Sequence, residues 1–221
     1  RPPRSTLFPY TTLFRSQLAE FEKDPDLDIC GSHVLEFEGT IDNIVAKRTV
    51  PLTDFEIKKY QKRRDGFNHV SVMFKKTSVL RAGNYQSCML MEDTYLWVNM
   101  FLTGATGKNI DDCLVFVRIG KDMFERRGGW RYYKKYKQGR KMVYQTGYIS
   151  WWDYHYTLLV QLVVALMPIP QQISDVFIIV VWSALTEIVH LFNFFFPVYN
   201  KPGNTPADNY GKIFIQLPSF V

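Results

Sequence analysis

Glu92-Asp93-Thr94-Tyr95-Leu96-Trp97-Val98-Asn99-Met100-Phe101-Leu102-Thr103 is the stretch on which the reading of this chain turns. Leu96, Trp97, Met100 and Phe101 recur three and four residues apart, so on a helix they share one face. Gly104 follows where a helix is most cheaply ended. The spacing predicts an amphipathic helix over 92–103 with both acids in its first turn. Free backbone N–H groups and the helix dipole favour negative charge there, so a carboxylate stays ionised near neutral pH and can accept a proton. An acidic pair in a first turn is also an ordinary helix stabiliser, and alone it assigns no chemistry.

Working back toward the amino terminus, Asn84 to Leu90 reads as a loop. Residues 77–82 read as a short helix closed by Gly83. The β-branched and apolar run 69–74 reads as a buried strand. Thr53-Asp54-Phe55-Glu56 has the form of a capping box, which starts a helix at Asp54. That helix carries Lys58, Lys59, Lys62, Arg63 and Arg64 before Gly66, so its exposed face is basic. Residues 27–38 and 41–50 read as a hairpin-like pair of strands, with turn chemistry from Gly39 and Asp42-Asn43. Gln17 to Lys23 suits the end of a helix that Pro25 stops. Ser5-Thr6-Leu7-Phe8 is nearly repeated by Thr11-Thr12-Leu13-Phe14, and residues 1–16 read as a translated sequencing adapter set apart from the fold. Their apolar letters are interrupted by Pro9 and threonines, which is not the pattern of a signal peptide.

Toward the carboxyl terminus, 114–118 reads as a strand. The run 121–141 then carries nine basic and two acidic residues interleaved with five aromatics. Ser150-Trp151-Trp152-Asp153 resembles a second helix start, leading into a segment to Met167 that is apolar almost all round and short for a membrane span. Residues 173–198 form another apolar stretch. No motif can be placed in 171–221, which reads as a divergent tail or a frameshifted stretch.

The 221 residues suffice for one ordinary domain, and 47% hydrophobic with 16% aromatic composition excludes a disordered chain. Cys30, Cys88 and Cys113 form no C-x-x-C pair, so neither a zinc site nor a disulfide framework is indicated, in keeping with a reducing, cytoplasmic setting. A formal charge of +6 implies attraction to polyanions without choosing among nucleic acid, anionic lipid and diphosphate-bearing substrates.

Several of these segments, in this order, resemble bacterial family 2 glycosyltransferases of the surface-polysaccharide type. Asp24-Pro25-Asp26-Leu27-Asp28-Ile29-Cys30-Gly31-Ser32 looks like the strand that follows their nucleotide half. Phe67 to Phe74 resembles their acceptor-side strand, and Arg81-Ala82-Gly83-Asn84-Tyr85 the next turn. Glu92 to Trp97 resembles the catalytic-base segment, and Val115-Phe116-Val117-Arg118 with Arg126-Arg127-Gly128-Gly129-Trp130 the strand and loop beyond it. The resemblance implies an α/β fold, the C-terminal part of a GT-A (Rossmann-like) domain followed by C-terminal helices. Residues 17–145 would form its acceptor-side half, and 146–170 an apolar helix with a possible peripheral contact at the inner face of the cell membrane. By the same resemblance Asp93 is the general base and Glu92 orients it or the acceptor. Asn68 and His69 contact the acceptor, and Arg126 and Arg127 lie near the diphosphate. A structural role for His69 and a solvated basic turn for the arginines weigh about equally.

A nucleotide-sugar donor, a glycan or lipid-linked acceptor and a divalent metal, manganese or magnesium, are implied as well. The family's D-X-D metal motif has no counterpart here, since Asp24-Pro25-Asp26 and Asp111-Asp112 both fall in the wrong place. Gly120 stands where many relatives have a histidine, so no metal ligand is assigned to this chain and it is expected to be inactive alone. Two other classes compete. One is a nucleic-acid-binding module using 121–141, with Trp130, Tyr132 and Tyr133 stacking between cations, although no binding motif supports it. The other is a small membrane protein built on 156–198.

Overall fold

The computed structural model describes residues 9–120 and 129–166. Helix α1 (Pro9–Lys23) leads into strand β1 (Ile29–Phe37), which turns back as β2 (Ile44–Arg48). Helix α2 (Asp54–Gln61) follows, then a single 3-10 turn (His69–Ser71), the two-residue strand β3 (Met73–Phe74) and α3 (Lys76–Arg81). Then come α4 (Glu92–Leu102), β4 (Gly107–Arg118), α5 (Gly129–Gln145) and α6 (Trp151–Leu166). The protein is α/β, with helices packed on a mixed sheet.

β1 is the centre of that sheet. β4 runs parallel along its whole length, from Ile29 opposite Gly107 to Phe37 opposite Arg118. The other edge of β1 is shared: β3 pairs antiparallel with Ile29 and Cys30, and β2 pairs antiparallel with residues from Val34 to Phe37. A strand flanked on both edges is covered almost throughout, which is why Ser32, His33 and Glu36 are buried with their apolar neighbours. The β1–β4 register slips between Ser32, opposite Ile110, and His33, opposite Cys113. Asp111 and Asp112 are thereby bulged out of the ladder.

The expected hairpin of β1 and β2, the start of α2 at Asp54 and the span of α4 all stand. Thr53 and Glu56 make the reciprocal cap, and Ser150 and Asp153 make a similar one at the start of α6. Three expectations change. Residues 69–74 are not one strand. The Ser71 hydroxyl donates to Ser32 O at 3.1 Å and Asn68 O at 2.8 Å, which curls the chain into a 3-10 turn and leaves Val70 exposed. The strand expected at 114–118 begins at Gly107, with polar Asn109 buried because its amide donates to Pro51 O and Gly66 O. α1 extends back to Pro9, with Leu13 buried and Gln17 Nε2 donating to Cys30 O at 2.8 Å and Ser71 O at 2.6 Å.

α4 is buried on two sides. Leu96, Trp97, Met100 and Phe101 pack with Ile29, Ile57, Phe67 and Val79 on the sheet side. Met91 and Val98 pack with Val143, Ile149, Tyr154 and Leu158 of the α5–α6 pair. Close approach of α5 depends on Gly139, where an added Cβ would stand 2.2 Å from Met89 O. The first turn of α4 is thus held from both sides.

Candidate active site

Asp93 is the second residue of α4. Its Oδ1 accepts the Thr94 backbone N–H at 2.8 Å, and its Oδ2 lies 3.5 Å from His69 Nδ1. His69 opens the 3-10 turn with 47% of its side chain exposed, against 23% for Asp93. Trp97, one helical turn beyond Asp93 and fully buried, supports the imidazole edge-on at 5.7 Å between ring centroids. Tyr85, from the loop after α3, brings its hydroxyl to 3.1 Å from His69 Nε2. Carboxylate, imidazole and phenol therefore stand in a row that ends at solvent.

The electrostatics follow from those contacts. Burial alone pushes the Asp93 carboxyl up. Pairing with His69 and the Thr94 N–H outweigh burial and hold Asp93 below the ordinary carboxylate range. His69 is held above the usual histidine value, first by Asp93, against a smaller opposing effect of burial. Burial, then the Asp93 charge, pushes the Tyr85 phenol up, so it remains a neutral hydrogen-bonding group. An ionised carboxylate beside a proton-bearing imidazole at a half-open surface can accept a proton and pass it on.

The other residues singled out by sequence fall in different places. Glu92 is exposed on the same first turn. Asn68 departs from its expected acceptor contact: it is 2% exposed, and its amide donates to Ser32 O at 2.8 Å and Arg48 O at 3.5 Å. It ties β1 to β2 beneath the turn, pointing inward where its neighbour His69 points out. Arg126 and Arg127 lie outside the described residues. Sequence reasoning missed Asp65, whose carboxylate accepts the Thr94 hydroxyl and whose ionisation is opposed first by burial and then by the Asp93 charge.

The described residues do not fit a divalent ion. Among the described residues no three His, Cys, Asp or Glu side chains are grouped to hold one. Asp111 is engaged with His33 at 3.1 Å on the bulge of β4.

No protein-family model matches the chain. Curated relatives do. It is 37% identical over 134 residues, 57% of this chain, to a protein of Haemophilus influenzae described as an uncharacterized glycosyltransferase, of which 49% is covered. It is 32% identical over 159 residues to the amylovoran biosynthesis glycosyltransferase AmsE of Erwinia amylovora, covering 71% of this chain and 58% of that protein. It is 34% identical over 158 residues to an Escherichia coli UDP-Gal:alpha-D-GlcNAc-diphosphoundecaprenol beta-1,3-galactosyltransferase, covering 72% and 57%. The chain is thus a homologue of bacterial glycosyltransferases, and it spans about half the length of the curated relatives it matches.

Proposed function

We propose that this chain supplies the acceptor-side half of an inverting family 2 glycosyltransferase of GT-A fold, and that Asp93 is its general base. The observation that carries the reading is the ionised Asp93 carboxylate in the first turn of α4, beside the half-exposed His69. In the reaction, Asp93 takes the proton of an acceptor hydroxyl as that oxygen bonds to the anomeric carbon. The bond from that carbon to the nucleoside diphosphate breaks, and its electron pair leaves with the diphosphate. His69 and Tyr85 orient the hydroxyl and lead the proton toward solvent, while Glu92 contacts the acceptor from the open side of the turn. The diphosphate grip belongs to Arg126 and Arg127 and to a donor-binding half that carries the metal motif.

The acceptor class we propose is supported by the Escherichia coli relative, whose name gives a GlcNAc-diphosphoundecaprenol acceptor and a UDP-Gal donor. A lipid-linked diphosphate glycan at the inner face of the membrane is the acceptor we assign. Support comes from α6, whose exposed residues include Trp151, Trp152, Leu159 and Leu166, beside the acid-free helix α5. Among the described residues no helix is long and apolar enough to cross a membrane.

The test joins the chain at Gln17 to a donor-binding half bearing a D-X-D segment. Transfer is then assayed with a panel of nucleotide sugars, manganese or magnesium, and GlcNAc-diphospholipid. Asp93→Asn is expected to lower transfer by at least about 100-fold with donor binding retained. Normal transfer by that variant would remove Asp93 from the chemistry.

A further inference from the structure

Asp65 lies in the turn after α2, in an Asp-Gly pair that carries no motif. Its Oδ1 accepts the Thr94 hydroxyl at 2.5 Å and Gln61 Nε2 at 3.4 Å. Gln61, wholly buried, in turn accepts the Gly66 N–H at 2.7 Å, so the turn is closed on itself. Thr94 also gives its backbone N–H to Asp93. One buried residue therefore bridges two carboxylates, with the hydroxyl on Asp65 and the amide on Asp93.

We propose that Asp65 is a positioning residue for the candidate base, pinning Thr94 and with it the first turn of α4, and setting a second negative charge beside the Asp93–His69 pair. This rests on the reading of Asp93 as the base given above. A carboxylate held low by a helix start and an imidazole is a weak base, and a like charge close by restores proton affinity to it. The same charge favours the protonated imidazole of His69, the form in which a transferred proton waits. Other groups acting here are Tyr85 and Cys88 from the loop before α4, Glu92 on α4 itself, Arg48 at the end of β2 and Arg140 of α5. The two arginines offset the Asp65 charge in a buried setting. Asp65 brings a second carboxyl group onto a hydrogen bond from the turn that carries the base.

The experiment is an imidazole proton–nitrogen NMR titration of His69 in the 221-residue chain, with the resonance assigned by its loss in His69→Gln. Asp93→Asn is expected to move the His69 midpoint to lower pH. Asp65→Asn should move it the same way by a smaller step, and Asp65→Glu should restore it. Thr94→Val should leave the midpoint nearly in place yet speed amide exchange at Thr94 and Tyr95 about tenfold, with Thr94→Ser restoring protection. A well-dispersed Asp65→Asn spectrum with His69 at its wild-type midpoint overturns the proposal, even where Asp93→Asn shifts it and the base assignment survives. If neither variant moves the midpoint, the pairing of Asp93 with His69 falls, and the role given to Asp65 falls with it.

Discussion

His33 and His69 are both set against an aspartate, yet the fold shifts them in opposite directions. His33 is buried in β1. Its Nδ1 accepts the Val50 N–H at 3.2 Å, which requires a lone pair, and its Nε2 faces Asp111. Burial holds it below the usual histidine value, and Asp111 offsets this only in part. As pH falls through about 6.5, the unfolded chain takes up a proton that folded His33 resists, so stability is lost on the acid side. His69 is raised, so its contribution is full below about 6.5 and is lost as pH rises through its folded value. Urea unfolding at pH 5 and pH 8 should separate them. His33→Gln should compare better with wild type at pH 5 than at pH 8, and His69→Gln should compare worse. Equal offsets at both pH values would remove these assignments. Legibility at this scale was uneven for a physical reason. Asp93 and His69 were singled out because a helix start and motif order point to them, and the fold sets their side chains 3.5 Å apart. Asn68, next in sequence, was read as a site residue although its amide turns inward to Ser32 O. Asp65 was passed over because Asp-Gly after a basic helix reads as a plain turn, and its partner Thr94 is 29 residues away.

Helix starts are where elements were read most truly, because a cap is a contract among four adjacent residues and needs no tertiary knowledge. The Thr53 hydroxyl accepts the Glu56 N–H while the Glu56 carboxylate takes the Thr53 N–H. Thr53→Ala should cost about 1 kcal/mol in urea denaturation, and a variant as stable as wild type would show the box to be ornamental. Where tertiary contacts decide, local pattern failed. The alternation in 69–74 suits a strand, but Ser71 bonds to β1 and Asn68 and shortens β3 to two residues. α6 reads as apolar all round, yet its buried face carries Asp153, Thr157 and Gln161 beside Tyr154 and Leu158. Two of those polar side chains are met by cations on the inner side: Arg63 Nε donates to Asp153 at 2.6 Å, and Arg140 Nε donates to Thr157 at 3.0 Å. Sequence cannot display such a choice, since either face of α6 has enough apolar residues to pass for the core.

At the scale of the whole molecule, the α5–α6 pair is fastened to the α2 and α4 side of the fold by polar contacts as well as by its apolar core. Arg140, 2% exposed, donates to the Lys62 carbonyl and to Thr157, and its charge offsets Asp65. In the sequence it was one cation among nine. Arg140→Met should cost about 3 kcal/mol by stranding buried partners, and Arg140→Lys should recover little because it lacks the planar fork; thermal melts decide both. With Arg140 and the polar stripe of α6 spent inward, what remains outside is unlike an ordinary helix surface. On α5, Trp130, Lys134, Lys137, Lys141 and Tyr144 are all exposed at spacings of four and three, so they form one cationic stripe ending in aromatics. On α6, Trp152, His155 and Leu159 are exposed three and four residues apart with exposed Trp151 beside them, and Tyr144 stacks on Tyr154 at 5.1 Å where the two helices meet. Cations draw such a surface to anionic lipid headgroups, and indole rings settle at the interface. The chain should therefore sediment with phosphatidylglycerol vesicles and not with phosphatidylcholine vesicles, and added salt should release it. Replacing Trp151 and Trp152 together by alanine should weaken binding about tenfold without unfolding the protein, because both are about half exposed. Retention on single-stranded DNA with no vesicle binding would return this surface to a nucleic-acid role and leave the lipid-linked acceptor without its structural support.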